Sequence, residues 1–399
     1  MNILIIAVGV GNSPAGIIYK RVIQALAKHN DITVVTNADF DINCDIKKII
    51  IPIIEIPGKL LGALKFARVV VSPSSPDDLR PSPIVKDTLR LINCNIFDHR
   101  WANRVIESTN NLNFDFVLAL TAFIEFAQIY AAKEFAALHN CKWGVYSVDP
   151  IPIPKEWGTS PIQIRNCKKM LRTYFSYADL VCFSNPRMME YDIELFTPKY
   201  NAVLDYLYTP SPLNEVHITK ALNRKTFLYT GSLYGRRNAK YCLCAFKRIL
   251  KLYPDVKLVF VGTNLPRKCK KLLSGDELKS VELYPFQKDL ESFYRDSVAL
   301  IDIDADYKND VFLSSKIVTY IKVNRPIISE TSSNSPSRIL FSNIESVIQC
   351  EHNEDEIYLA MKKILDGFEY NYNDRRDVIN KLSSDYFSDK FQSLIKRII

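Results

Sequence analysis

Apolar runs and helical periodicity alternate along the chain from its first residues. NILIIAVGV (2–10) is a continuous apolar run that closes on a glycine-containing turn, GVGNSPAG. IIYKRVIQALAKHN then places apolar residues at helical spacing, and DITVVTNA (31–38) is a second strand-like run. Strand, glycine turn, helix, strand is a βαβ unit, which favours a parallel sheet with helices on its faces. Residues 48–71 are mixed, and SPSSPDDLRPSP (72–83) reads as a loop by its turn chemistry. FDFVLAL (114–120), a helix through residue 139, KWGVYSV (142–148) and YADLVCFSN (177–185) carry the alternation on.

The pattern breaks at YLYTPSPLNEVHITKALN (206–223), which contains proline, lacks periodicity and reads as an inter-domain linker. It restarts with strands at 225–232, 255–263, 280–285 and 298–303, a helix in SKIVTYIKVN and a strand in RPIIS. The predicted organisation is an α/β chain of two consecutive domains, 1–208 and 224–375, joined by 209–223. In the tail, 376–399, Phe391, Leu394, Ile395 and Ile398 share one helical face, which predicts a C-terminal helix buried against the first domain.

Composition narrows the class. With 399 residues, 47% hydrophobic and 24% charged, the chain can bury two cores, which excludes disorder, collagen and coiled coil. The longest apolar runs are about half of what a membrane helix needs. The N-terminus lacks a basic leader and reads as a first strand rather than a signal peptide. Nine scattered cysteines without a CxxC pair fit a reduced, cytoplasmic protein better than a disulfide scaffold. A net charge of +8 allows an anionic partner without saying which.

Most single motifs fail their own tests. The Gly9–Gly16 turn departs from the G-x-G-x-x-G dinucleotide spacing, although Asp39 follows the second strand where a ribose-binding acid would stand. A tight turn lining the acceptor side, through Gly11, Asn12 and Ser13, is the better reading. Asp302, Asp304 and Asp306 form D-x-D-x-D, but Tyr307 and Leu313 stand where an EF-hand needs Gly and Glu. They read as a solvated strand end, and no metal site is expected. The five histidines are isolated, and neither GxSxG nor a P-loop is present. IPGKLLGALKFARVVV (56–71) interleaves Lys59, Lys65 and Arg68 with leucines and Phe66, a pattern compatible with contact on an anionic membrane surface or with an ordinary surface helix.

The second domain is the most informative. FLYTGSLYGRRNAKYCLCAF (227–246) is strand, glycine turn, cations and helix. Arg236, Arg237 and Lys240 stand at or near the helix start, where free amides and the dipole favour an anion. Downstream, Ser314-Ser315-Lys316 opens another helix, closed by Arg325-Pro326. Two such elements can hold one nucleotide diphosphate between them.

The order of these motifs resembles the GT-B glycosyltransferases, particularly the second domain of the family 4 (group 1) kind. Gly231 is followed six residues on by Arg237 and then by Ala245-Phe246; LVFVGT ends on Gly262; Ser314-Ser315-Lys316 precedes Tyr320 and Arg325-Pro326-Ile327. The match covers about residues 225–330, whereas the first domain agrees in alternation, glycine turn and an Asp149-Pro150 step. The resemblance implies two Rossmann-like domains facing a central cleft and transfer of a sugar from a nucleotide sugar to a glycan or lipid-linked acceptor in bacterial surface polysaccharide synthesis. It implies no bound cofactor, no metal and no nucleic-acid partner, and work in the cytoplasm or at the inner face of the cell membrane. Arg237 and Lys316 match the diphosphate contacts; Gly231, Ser232, Asp310, Ser315 and Thr319 line the donor; Phe286 lies near the base. The family's pair of glutamates falls on Val311, beside Asp310, and on Thr319, and its first-domain histidine has no match, leaving Asp149 and Glu125 as candidate catalytic groups. A nucleotide-sugar 2-epimerase and a silent partner-binding subunit share the same two-domain plan.

Overall fold

A computed structural model describes residues 1–11, 13–53, 98–122, 126–212, 225–233 and 235–399. Asn12, Glu125, the basic stretch 56–71, the loop 72–83 and residues 213–223 of the linker lie outside the described residues. The chain divides into two compact units, residues 1–209 with 387–399, and residues 210–386.

The first unit is built on strands β1 (Asn2–Ile6), β2 (Asp31–Thr36), β3 (Lys47–Ile50), β4 (Phe116–Thr121), β5 (Lys142–Ser147), β6 (Leu180–Phe183) and β7 (Val203–Tyr206). They form one parallel sheet in the order β3-β2-β1-β4-β5-β6-β7. The inner strands are buried along almost their whole length, which is why they read as apolar runs rather than alternating patterns. Helix α1 (Pro14–Leu26) follows β1 through the glycine turn. Ser13 caps it, its Oγ accepting from Gly16 N at 2.9 Å. A Cβ on Gly16 would sit 1.8 Å from the Gly9 carbonyl oxygen, so only glycine allows the strand and helix to meet there. Helix α2 (Pro161–Tyr174) lies between β5 and β6, its buried face carried by Gln163, Cys167, Leu171 and Tyr174.

The second unit holds β8 (Thr226–Thr230), β9 (Lys257–Val261), β10 (Val281–Tyr284), β11 (Ala299–Ile303), β12 (Ile327–Glu330) and β13 (Val347–Cys350). All are parallel, in the order β10-β9-β8-β11-β12-β13. The strand order reverses between β8 and β11. Helix α3 (Lys240–Leu250) follows β8, and the short α4 (Ser315–Tyr320) follows β11, ending before Ile321 rather than running to Asn324 as periodicity suggested. Strands β7 and β13 had no sequence signal of their own; four residues are too few for a period to show.

Helix α5 (Ser384–Lys396) closes the chain. Phe387, Phe391, Leu394 and Ile395 join the same apolar cluster as Ile3, Ile5, Tyr19 and Leu118 of the first unit. Phe391 meets Phe116 edge-to-face at 6.3 Å and Phe387 meets Tyr146 at 5.4 Å. Lys390 Nζ donates to Asp205 Oδ1 at 3.0 Å and to the Tyr206 carbonyl at 3.1 Å, tying α5 to β7. Phe391 is fully buried, so Phe391→Ala removes its contacts and leaves a cavity. It should destabilise the first unit by about 3–5 kcal/mol, read as a lowered denaturant midpoint.

Candidate functional site

Ligands of open parallel sheets bind beyond the carboxyl ends of the strands where the order reverses. In the second unit that place is the end of β8 and β11. Gly231 follows β8 with φ +98° and Gly262 follows β9 with φ +84°, backbone that other residues rarely adopt. A Cβ on Gly231 would lie 2.9 Å from Lys316 Cε, so the lysine stem runs against the glycine backbone and needs that space. Tyr320, one turn after Lys316, fixes the helix: its hydroxyl accepts from Thr230 N at 2.7 Å and shares a hydrogen bond with Thr230 Oγ1 at 2.9 Å. The ammonium of Lys316 lies 5.5 Å from the Tyr229 ring centroid.

Arg237 enters the same place from the loop after β8. Its Nε and Nη2 donate to Asp304 Oδ1 at 3.3 and 3.2 Å. Both side chains are buried, at 8% and 0% exposure. Helix α3 begins at Lys240, so Arg237 stands three residues ahead of it and is aimed by the loop rather than by the helix start. Arg236 turns outward, its Nη1 donating to the Asp306 carbonyl at 3.1 Å.

The acidic run after β11 departs from the solvated strand end expected of it. Asp302 and Asp304 are buried, and only Asp306 of the three is exposed. The reason is topological: β11 is an interior strand, and its end is covered by the Arg237 loop and by Ser314. Asp302 Oδ1 accepts from Ser314 Oγ at 2.7 Å, Asp304 Oδ1 accepts also from Ala305 N at 2.9 Å, and Asp310 Oδ1 accepts from Phe312 N at 3.2 Å. Each of the three keeps its second carboxylate oxygen buried and without a hydrogen-bond partner. No group of three or more His, Cys, Asp and Glu among the described residues is arranged to hold a metal ion.

Burial, and then the neighbouring Asp304 charge, push the Asp302 carboxyl up to about 6. Asp310 is raised well above the carboxylate range by the same two causes. Burial and the Arg237 charge pull Lys316 down to about 8, against the opposing pull of Asp302 and Asp304. The site is therefore a set of a buried Arg237, a half-buried Lys316 and three buried acids that perturb one another, the pattern expected where a charged ligand is handled.

Other expected residues fall around this set or apart from it. Ser232 is exposed, and its carbonyl accepts from Tyr229 OH at 3.0 Å. Ser315 is exposed at the start of α4, while Thr319 Oγ1 is engaged with the Ser315 carbonyl at 3.1 Å. Phe286, beyond β10, is 77% exposed. Arg325 is structural: buried, it donates to the carbonyls of Ser297, Asn324 and Arg295. In the first unit, Gly11 and Ser13 lie at the carboxyl edge beside the β1–β4 reversal. Asp149 follows β5, its carbonyl accepting from Ser147 Oγ at 2.8 Å. One pair carried no sequence signal. His352 Nδ1 lies 3.0 Å from Glu330 Oε1 and Nε2 lies 3.0 Å from the Ala305 carbonyl, bracing the backbone next to Asp304.

No protein-family model matches the sequence, and no curated protein does. Similarity appears in three dimensions. The chain resembles HepE of Anabaena, solved with UDP and glucose, at TM-score 0.66 and 10% identity over 99% of both chains. It resembles the lipopolysaccharide outer core galactosyltransferase WaaB at TM-score 0.60 and 12% identity over the whole of both chains. A putative UDP-N-acetylglucosamine 2-epimerase of Listeria monocytogenes aligns at TM-score 0.56 and 14% identity over 99% of this chain and 96% of that one. The fold is the two-unit GT-B plan, as the sequence resemblance implied.

The His352 bridge yields a pH dependence. Burial lowers its pKa, but the hydrogen bond and charge of Glu330 outweigh this and the net shift is upward from 6.5. A raised folded value stabilises below the unfolded one, and that stability is lost as pH rises through the folded value. The denaturant midpoint should fall as pH rises above 6.5, and His352→Gln should flatten that fall while lowering stability at the acid end.

Proposed function

We propose that the chain is a glycosyltransferase that moves a sugar from a nucleotide-sugar donor to a glycan or lipid-linked acceptor. The observation that carries the reading is the set at the β8–β11 reversal: Arg237 and Lys316 converge where a diphosphate would lie, beside buried acid oxygens with unfilled acceptor capacity. Phosphate oxygens suit the cations, and the hydroxyls of a sugar or ribose suit the acids. HepE, which was solved with UDP and glucose, and WaaB, a galactosyltransferase of a surface glycan, make a UDP-sugar and surface polysaccharide synthesis the donor and role to test first.

In this reading Arg237 is pre-aimed. Asp304 holds the guanidinium fork in place, and the leaving diphosphate displaces part of that contact as the glycosidic bond breaks and negative charge grows. Lys316 adds a second positive group. Charge that develops against fixed donors is stabilised most in the transition state, so the protein's own cations do the work proposed for them without a metal. Asp149 and the turn at Gly11–Ser13 belong on the acceptor side. The site proposed for the reaction is the cytoplasm or the inner face of the membrane, where a lipid-linked acceptor would be reached.

Arg237→Ala should weaken UDP binding by roughly 1.5–3 kcal/mol and lower kcat as well, with Arg237→Lys restoring part. Because that change also strands a buried carboxylate, the double variant with Asp304→Asn separates lost ligand contact from lost fold. Arg236→Ala should be milder. UDP affinity should fall as pH rises through about 8, and Lys316→Met should abolish that step. Chelation with EDTA should leave transfer unchanged; loss restored by Mn²⁺ or Mg²⁺ would overturn the metal-free reading. Incubation with UDP-N-acetylglucosamine alone addresses the epimerase alternative, suggested by the Listeria neighbour: formation of the C2 epimer, UDP-N-acetylmannosamine, or its hydrolysis by water to UDP and N-acetylmannosamine, would replace transfer as the function. UDP binding without turnover of any nucleotide sugar would favour a silent subunit.

A further inference from the structure

The first unit carries a charged surface that the donor site does not use. An open groove of about 820 Å³ runs along α2 and is lined by Lys155, Arg165, Lys168, Lys169 and Arg172, with no carboxylate among its lining residues. None of these five side chains is in an ion pair with a described carboxylate. Arg172 Nε donates to the Leu195 carbonyl at 3.3 Å, which satisfies a donor without neutralising the charge. Against a net charge of +8 for the whole chain, this is a large share in one place.

The periodicity of α2 explains how the groove arises. Gln163, Cys167, Leu171 and Tyr174 face the core, which leaves Ile162, Arg165, Lys169 and Arg172 exposed on the opposite face at spacings of three and four. Lys155 is brought alongside by the short 3-10 turn Lys155–Trp157 that precedes the helix. Like charges so placed repel one another. Both ends of the stripe carry apolar bulk: Ile162 and Tyr177 are each 57% exposed.

From this we infer that the groove along α2 is a docking surface for an anionic phospholipid bilayer. Cations on one helical face attract lipid phosphates, each contributing a few-fold in affinity, and flanking Ile and Tyr side chains can enter the headgroup–acyl boundary. A nucleic acid fits less well, because Tyr177 is the only aromatic ring among the described residues that line the groove on which bases could stack. The contact is peripheral: no helix among the described residues is long and apolar enough to cross a membrane. The inference stands apart from the donor-site reading, since its surface shares no residue with that site.

The test is co-sedimentation of the full chain with phosphatidylcholine vesicles, with and without phosphatidylglycerol. Binding should require the anionic lipid and weaken steeply with added salt. Arg165→Glu with Lys169→Glu should lower the partition coefficient roughly tenfold or more. Both positions are exposed, so folding and UDP affinity should be unchanged; the milder Arg165→Gln with Lys169→Gln serves if the reversal impairs folding. Ile162→Ser with Tyr177→Ser should weaken the binding that survives at high salt. Undiminished vesicle binding by the charge-reversed chain would overturn the inference by placing the contact elsewhere, for example at 56–71. Binding of inorganic diphosphate or of single-stranded DNA without vesicle binding would overturn it equally.

Discussion

The ion pair between Arg237 and Asp304 is the constraint around which the second unit's functional edge is organised. Removing two charges from water is costly, and a buried pair persists where geometry and further hydrogen bonds compensate. Here the compensation is partial: Ala305 N completes one oxygen of Asp304, while the other has no partner. Two further buried acids with raised pKa values stand close by, and each holds its proton more readily than a carboxyl in water. Under the proposed function, a diphosphate entering such a site would exchange partners with the carboxylate instead of adding to an empty cation. Exchange limits ground-state affinity and favours whichever state carries the most negative charge, which is the useful direction for a leaving group.

What makes the pair possible is backbone. The reversal of strand order leaves a gap beyond β8 and β11, and Gly231 turns the chain there without a Cβ that would displace Lys316. Tyr320 bonds the end of β8 and fixes the short helix that carries Lys316, since a six-residue helix has little stability of its own. On the far side, His352 and Glu330 hold the Ala305 carbonyl and so the loop that presents Asp304. Three elements distant in sequence are thus locked by hydrogen bonds from single side chains.

This division explains what could be read from the sequence. Gly231 and Arg237 were legible because a strand, a turn and a cation within one loop are set by local spacing, and so was Lys316 at the start of its helix. The doubly wound plan followed from long interior strands such as β1 and β4, whose burial on both faces writes itself as apolar runs. Asp302 and Asp304 were misread as solvated because nothing local distinguishes a covered strand end from an open one; the cover comes from Ser314 and Arg237, twelve and 67 residues away. His352 stands isolated in the sequence and acquires a role only through β12 and the loop after β11. The four-residue strands β7 and β13 are held by their neighbours in the sheet, not by any preference of their own.

The two basic regions of the chain show how burial decides what a cation can do. Arg237 and Lys316 sit in low dielectric, where each charge perturbs the next and added salt screens little. Such cations suit one small ligand in one geometry, because every contact must be matched or left unpaired. Along α2 the cations stand in water, weakly coupled and freely screened, each on a flexible stem. Cations of that kind suit an extended anionic surface with no fixed geometry, where total charge matters more than the position of any single group. Taken together, the two proposals divide the electrostatic tasks of the chain: salt-sensitive attachment through the first unit and salt-tolerant recognition of the donor through the second.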